Sequence, residues 1–324
     1  MSDDAFDVRT PSGERLPPVR GDLSVRLAAL ATASREPRPD EMSPGPTVAR
    51  MLLGARLRRL REDRGITRTR AALEIRSSES KISRLETGRS GFKPRDLADL
   101  LTLYGVVDGA ERAVLLALGE QARTPGWWQP YHEIIPQWQE MFLGLEQSAH
   151  VIRCHESHMI PELLQTPDYA REAIALTHAD EPDETIERRV ELRMRRARIL
   201  ERTAPPHLWV MIDEAALRRP FGGPEVMRGQ LRHLIDMTAL PHVAVQVMPF
   251  RTGGYAGVGN PITLLRQSEA ELADVVYLER LTGAEYIDKP EDVDAYRHLL
   301  NQMATQAEPA TATPRIVRDL LEEG

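Results

Sequence analysis

The 324-residue chain has a single cysteine, Cys154. One thiol cannot support an intrachain disulfide framework, nor a zinc site without several His or carboxylate partners nearby. A reducing compartment is therefore expected, with no metal. No apolar run approaches the ~18 residues that a membrane span needs. The first segment, MSDDAFDVRTPSGERLPPVR, has no apolar stretch of the kind an export signal carries. A cytoplasmic location without membrane association is the expectation. No internal repeat and no nucleophile–base motif are visible, so the sequence assigns no catalytic residue and no cofactor.

Net positive charge is missing too: the chain carries −7. That excess of acid is a poor match to a polyanion ligand until its distribution is examined. Between positions 47 and 95, fourteen Arg and Lys face five Asp and Glu, a surplus of +9 that leaves −16 for the remainder. A basic module on an acidic body follows, and the acidic body would turn the basic face toward phosphates. Hydrophobic residues at 41% and charged residues at 28% are ordinary for a globular protein. The length exceeds one average domain, so two domains and a tail are expected.

Residues 1–46 mix Pro, Ser, Gly and charged residues and read as a disordered arm with one short helical stretch from Leu23. From Val48 the spacing of Val48, Leu52, Leu53, Leu57 and Leu60 predicts a helix ending at Gly65. Thr67 caps a second short helix with Ala71, Ala72 and Ile75 inward. Ser78 caps a third from Glu79 to Glu86, anchored by Ile82 and Leu85 and ended by Gly88. Pro94 opens a fourth and Asp108 caps a fifth. These five helices define a domain over residues 47–123, with Thr124-Pro125-Gly126 as a hinge.

Beyond the hinge, an aromatic-rich stretch (GWWQPYHEIIPQW) precedes alternating elements. AHVIRCHE, LWVMID, VAVQVMP, PITLLR and DVVYLER read as strands, and YAREAIAL, ETIERRVELRMRRARILER, EVMRGQLRHLIDMT and DVDAYRHLLNQM as helices. The fold class expected is α+β. An all-α, five-helix repressor-like domain is followed by a mixed α/β domain over residues 127–306 and a tail, 307–324, with one short helix.

A helix-turn-helix lets its second helix lie in the major groove with its N-terminal residues at base edges. Glu79, Ser80, Lys81, Ser83 and Arg84 supply that polar face: Arg or Lys suits guanine O6/N7, and Glu suits a cytosine amino group. Arg68, Arg70 and Arg89 flank it and suit phosphates. Double-stranded DNA is the partner this face predicts. One short helix reads few base pairs, so a homodimer is expected.

The string ITRTRAALEIRSSESKISRLETGR resembles phage-repressor and Cro-type modules, in which Ile-Ser-Arg-Ile/Leu-Glu-x-Gly ends the recognition helix. It departs at Arg68, where Gln is usual, and at Arg76, where Gly is usual. A non-Gly residue at positive φ is strained, so a differently shaped turn is expected. Further along, LEQSAHVIRCHESHMIPELLQTPDYAR, DEAALRRPFGGPEVMRGQLRHL, VAVQVMPF and DVVYLERLTGAEYIDKPEDV resemble actinobacterial developmental regulators of the WhiJ type. That resemblance implies a transcription factor with a small partner protein in an antitoxin-like pairing. Glu162 departs from it, standing where the family tends to have Gly.

Other features have plainer readings. The basic run from Arg188 to Arg202 is interleaved with Glu184, Glu187, Glu191 and Glu201 and reads as a solvated helix. His150, Cys154, His155 and His158 lack the H-E-x-x-H spacing of a zinc helix. The glycines of TGGYAGVGN lie between two strands rather than before a helix, so they form a connecting loop and not a phosphate cradle. Trp127, Trp128, Tyr131 and Trp138 are expected to pack the two domains together or to anchor a partner.

The leading reading is a sequence-specific transcriptional regulator whose second domain binds a small partner protein or effector. Alternatives are an antitoxin-like protein that sequesters a small partner, and a small-molecule sensor or enzyme in the α/β domain. A closed polar pocket with paired, perturbed carboxylates would favour the last.

Overall fold

A computed structural model describes residues 45–257, 259 and 261–323. The arm read as disordered, with its short helix from Leu23, lies outside the described residues except for its last two positions. Gly45 caps the first helix and Pro46 begins it.

Five helices come first: α1 (Pro46–Asp63), α2 (Arg68–Glu74), α3 (Glu79–Glu86), α4 (Pro94–Leu103) and α5 (Gly109–Gln121). Their boundaries are set by the residues the sequence marks. Thr67 accepts from the Arg70 amide, Ser78 from the Lys81 amide, and Asp108 from the amides of Ala110 and Glu111. Each side chain satisfies a backbone donor that the first helical turn leaves without a partner. Leu53, Leu57, Ala71, Ile82, Leu85, Leu97, Leu101, Tyr104, Leu115 and Leu118 fill one shared core. At Gly54 the backbones of α1 and α3 approach so closely that a Cβ would stand 2.4 Å from the Leu85 carbonyl oxygen.

The second half is a six-stranded mixed sheet, ordered β3-β2-β1-β4-β5-β6. The strands are β1 (Ala149–Glu156), β2 (His207–Asp213), β3 (Val243–Met248), β4 (Ile262–Gln267), β5 (Val275–Arg280) and β6 (Gly283–Ile287). β1, β2 and β3 run parallel, while β4, β5 and β6 form an antiparallel meander beside β1. Helices cover both faces, as the parallel part requires. On one face lie α6 (Glu140–Ser148), α7 (Pro167–Thr177), α8 (Asp183–Ala197), α9 (Glu214–Arg218) and α10 (Gly223–Thr238). On the other, α11 (Pro290–Gln306) packs Val293, Leu300 and Met303 against Met211, Leu264 and Val276.

This is the α+β class expected, and all five strands and four helices read from the second half are present. The sequence reading did not mark α6, α9 or β6. The C-terminal helix, α12 (Thr313–Glu323), is no loose tail: Val317 is fully buried in the main core, and the Thr313 hydroxyl donates to the Val245 carbonyl. α8 also corrects its reading as a solvated helix. Arg188 is half-buried and Arg195 exposed, but Arg196 is buried, and Arg193 and Arg196 point inward to Glu162 and Glu146. Interleaved charge identifies an exposed face only when the carboxylates that satisfy the arginines lie on the same helix. Here they lie on other elements.

Candidate nucleic-acid interface and adjoining cavity

The α2-turn-α3 unit is held from beneath by a buried ion pair. Glu86, on the last turn of α3, accepts from Arg61 of α1 at 2.5 and 3.1 Å and from Arg68 of α2 at 3.2 Å. Arg61 also donates to the Ile66 carbonyl at 2.8 Å, so one guanidinium ties α1 to α3 and to the turn that leads into α2. The hydrogen bond to Glu86 raises the Arg61 pKa still further. Arg68, expected at a phosphate, is therefore partly engaged inside the protein. Thr69 donates to Glu79 at 2.6 Å, bracing α2 against the start of α3.

Arg76 occupies the turn with φ +52° and is the one non-glycine residue at positive φ among the described residues. The turn thus keeps the left-handed conformation that Gly would adopt, contrary to the expectation of a different shape. The strain is accepted rather than avoided.

Ser80 and Arg84 are exposed on the outer face of α3 and Ser83 is half-buried there. Glu79 is exposed but bonded to Thr69. Lys81 bends away to donate to Ser90 at 2.6 Å, against the loop that follows α3. Arg70 pairs with Glu74 on the surface of α2. Arg89 reaches to the second half of the chain, donating to the Tyr286 carbonyl at 3.4 Å and the Asp288 carboxylate at 3.5 Å. Arg76 and Arg84, at either end of the recognition segment, make no ion pair among the described residues. The sequence singled out Arg76 only as a turn anomaly. Its charge is exposed and uncommitted.

Beyond Arg89, the helical half meets the sheet half along α6. Gly144 lies directly against Thr47 of α1, and Met51 packs on the main core. Trp127, Trp128 and Tyr131 do not bridge the two halves. Trp128 and Tyr131 are buried with Ile134, Ile135, Leu143 and Leu192, while Arg195 of α8 lies over the rings of Trp127 and Tyr131. Trp138 packs on the main core, and its carbonyl accepts from the Tyr286 hydroxyl at 2.6 Å.

Between α6, α7, α8 and the sheet lies a cavity of about 530 Å³. Its walls include Trp138, Phe142, Ile152, Met159 and Leu192, and its charged lining is Glu146, Glu156, Glu162, Glu279, Arg189, Arg193, Arg196 and Arg280, with Tyr277 and His178 beside them. Arg196 forms a bidentate pair with Glu146, 2.9 Å at both oxygens, and also meets Glu162. Arg193 meets Glu162 at 2.5 Å and Gln165 at 3.0 Å. Burial works against the Glu162 charge, but Arg193 and Arg196 outweigh it and hold the carboxyl at about 2. Glu162, the departure noted in the sequence, thus adds a carboxylate to this wall.

Glu156 makes no hydrogen bond or ion pair among the described residues. Burial, with Glu162 and Glu279 nearby, pushes it up to about 8. Glu279 is exposed at the end of β5, yet partial desolvation and Glu162 raise it, and it accepts from the Tyr277 hydroxyl at 3.0 Å. The cavity is open and more apolar than polar, so of the closed polar pocket that would favour a sensor or enzyme it has the perturbed carboxylates but not the closure. The sequence could not place it, because its carboxylates come from β1, β5, α6 and the turn before α7.

The His and Cys residues do not converge. Cys154 faces the main core with its thiol pushed well up by burial. His155, on the opposite face of β1, meets the Tyr255 hydroxyl at 3.1 Å, and that hydroxyl donates to Asp213 at 2.7 Å. His150 packs edge-on against His207, and His158 lies beyond the strand beside Ser157. The glycine-rich segment joins β3 to β4, with Gly253, Gly257 and Gly259 at positive φ.

Two family models match the chain. One, described as a helix-turn-helix domain, covers residues 52–115. The other, described as a domain of unknown function (DUF5753), covers residues 139–319. No curated protein and no solved structure matches.

Proposed function

The chain belongs to the DUF5753 family and carries a helix-turn-helix DNA-binding domain ahead of the family's own domain, and from that premise we propose that it is a sequence-specific, effector-responsive transcriptional regulator. The observation that carries the reading is the outer face of α3, where Ser80, Ser83 and Arg84 stand clear of the core beside the uncommitted Arg76. Arg84 reads a base edge, Ser80 and Ser83 allow close approach, and Arg70 and Arg76 take phosphates. A homodimer places two such helices on successive half-sites.

The sheet half is the regulatory part. The resemblance to WhiJ-type regulators suggests a small partner protein for it, and the cavity beside α6 suggests a small molecule. A sensor is favoured over an enzyme. The cavity's thiol, Cys154, is buried with its pKa raised, which opposes nucleophilic use.

The test is fluorescence anisotropy of the full-length protein on DNA from its own promoter region, across a salt series. Log affinity should fall linearly with log salt through counterion release. Arg84→Ala should lose ~1–3 kcal/mol on the operator and little on unrelated DNA. Arg76→Ala should weaken both equally. Salt-independent binding, no binding, or equal losses for both variants on both DNAs would overturn the assignment.

A further inference from the structure

Two of the cavity's four carboxylates have no paired cation among the described residues, because Arg189 and Arg280 of its lining are bound to Glu181 and Glu285 instead. Glu146 and Glu162 are answered by Arg196 and Arg193, whose guanidinium groups are thereby committed. Glu156 and Glu279 line the same space with no cation paired to either among the described residues. Strand register explains how they come together. Cys154, Thr263 and Tyr277 form one row across β1, β4 and β5. Side chains alternate along a strand, so Glu156 and Glu279 emerge on the same face one pleat further on. They stand two strand spacings apart, ~10 Å at the backbone. Pro261 lines the gap between them and offers no hydrogen-bonding side chain.

We propose that this cavity binds a small organic amine, its ammonium group held between Glu156 and Glu279 and its apolar body against Phe142 and Leu192. The inference rests on the regulatory reading of the sheet half and names the ligand class for it.

Other occupants suit the site less well. An anion would find all four arginines of the lining already engaged and two spare carboxylates opposing it. A hard divalent cation takes several oxygen ligands at 2.0–2.6 Å, and the described residues contain no group of three His, Cys, Asp or Glu placed to hold a metal. An amine needs only two carboxylates, and the apolar wall suits a hydrocarbon body. The unpaired state of Glu156 agrees. Glu156 is half-buried, and a desolvated carboxyl without a cation takes up a proton instead, which is the direction of its shift.

The site also has a physical route to the DNA-binding half. Phe142 and Glu146 are one helical turn apart on α6 and face the cavity, while Gly144 on the reverse side abuts Thr47 of α1. On β5, the Tyr277 ring lies 5.2 Å from that of Tyr286, whose carbonyl accepts from Arg89 just after α3. An amine can change DNA affinity only by binding the two states of these contacts unequally.

The experiment uses the full chain without DNA. Binding of 2-phenylethylamine and tryptamine is measured by calorimetry and thermal shift beside controls of matched skeleton, 2-phenylethanol and 3-phenylpropanoic acid. Saturable binding of an amine, at least tenfold tighter than its control, is expected. It should be lost in the Glu156→Gln/Glu279→Gln variant, which keeps its fold because the substitutions remove two like charges that repel. Near pH 7, calorimetry in buffers of different ionisation enthalpy should show proton release as Glu156 ionises beside the ammonium. The other charged groups at the cavity are already committed: Glu146, Glu162, Arg193 and Arg196 to one another, Arg189 to Glu181, and Arg280 to Glu285. His178 also lines the cavity, half-buried at the end of α7.

Equal binding of amines and controls, preference for the acid, binding that survives the double substitution, or no amine binding up to millimolar concentration would each overturn the proposal. Anisotropy on promoter DNA with and without the amine is read separately. Amine binding that leaves DNA affinity unchanged would refute the regulatory reading and leave the amine site standing.

Discussion

Gly144 of α6 lies so close to Thr47 of α1 that a Cβ at position 144 would stand 2.1 Å from the Thr47 hydroxyl oxygen. The helix-turn-helix half and the sheet half meet closely here. The residue was not marked by the sequence because α6 itself was not. Gly144→Ala should push α1 and α6 apart and cost ~1–3 kcal/mol, as overpacking of a close contact does. Chemical denaturation should show the loss, and limited proteolysis should release the helical half more readily. A variant as stable and as protease-resistant as the parent would show that the two halves are not held at this point.

Arg76 stores strain in the turn of the helix-turn-helix. Left-handed φ costs an ordinary residue ~1–2 kcal/mol, and glycine gives back ~0.5–1 kcal/mol through its greater freedom when unfolded. Arg76→Gly should therefore raise stability by ~0.5–1 kcal/mol in denaturant titration. It should also weaken DNA binding on all sequences by removing one cation. Stabilisation without any change in DNA affinity would separate the two roles and leave only the structural one.

Glu86 is the base of the recognition helix. With Arg61 it forms a pair in which both side chains are less than a tenth exposed. Removing one partner strands the other's charge, a loss of ~3–5 kcal/mol for a buried pair. Glu86→Ala should unfold the helix-turn-helix half, seen as loss of helical circular dichroism and of DNA binding together. Glu86→Gln should be milder, because it still accepts from Arg61. If both variants keep full stability, the pair does not hold the unit.

Glu156 and Glu162 predict opposite pH dependences. Glu156 rises from an ordinary 4.5 to about 8, so the folded state binds more protons than the unfolded one in that window and stability falls as pH rises through it. Glu162 is held at about 2, so its contribution is complete above 4.5 and is lost as pH falls toward 2. Glu156→Gln should match the parent near pH 4 and exceed it by ~2–4 kcal/mol at pH 9, a pKa unit being worth 1.36 kcal/mol and relaxation reducing the full value. Denaturation midpoints for both proteins across that range provide the check. A constant difference between them would mean that Glu156 titrates normally.

The sequence by itself determined what depends on neighbours along the chain. Thr67, Ser78 and Asp108 cap the helices they were read to cap, Pro94 begins α4, and the apolar spacing from Val48 builds the helical core. Strand-forming runs were equally legible, because alternation and β-branching are local signals. Tertiary structure alone decided which charges are spent. Arg68 is drawn to Glu86, Lys81 to Ser90, Arg89 to Asp288, and Arg193 and Arg196 into a cavity. Each of these partners is nine or more residues away in the chain, and the cavity carboxylates are brought together only by strand register and helix docking. Coulomb and hydrogen-bond terms act through distance in space and degree of desolvation, quantities that a linear spacing does not contain.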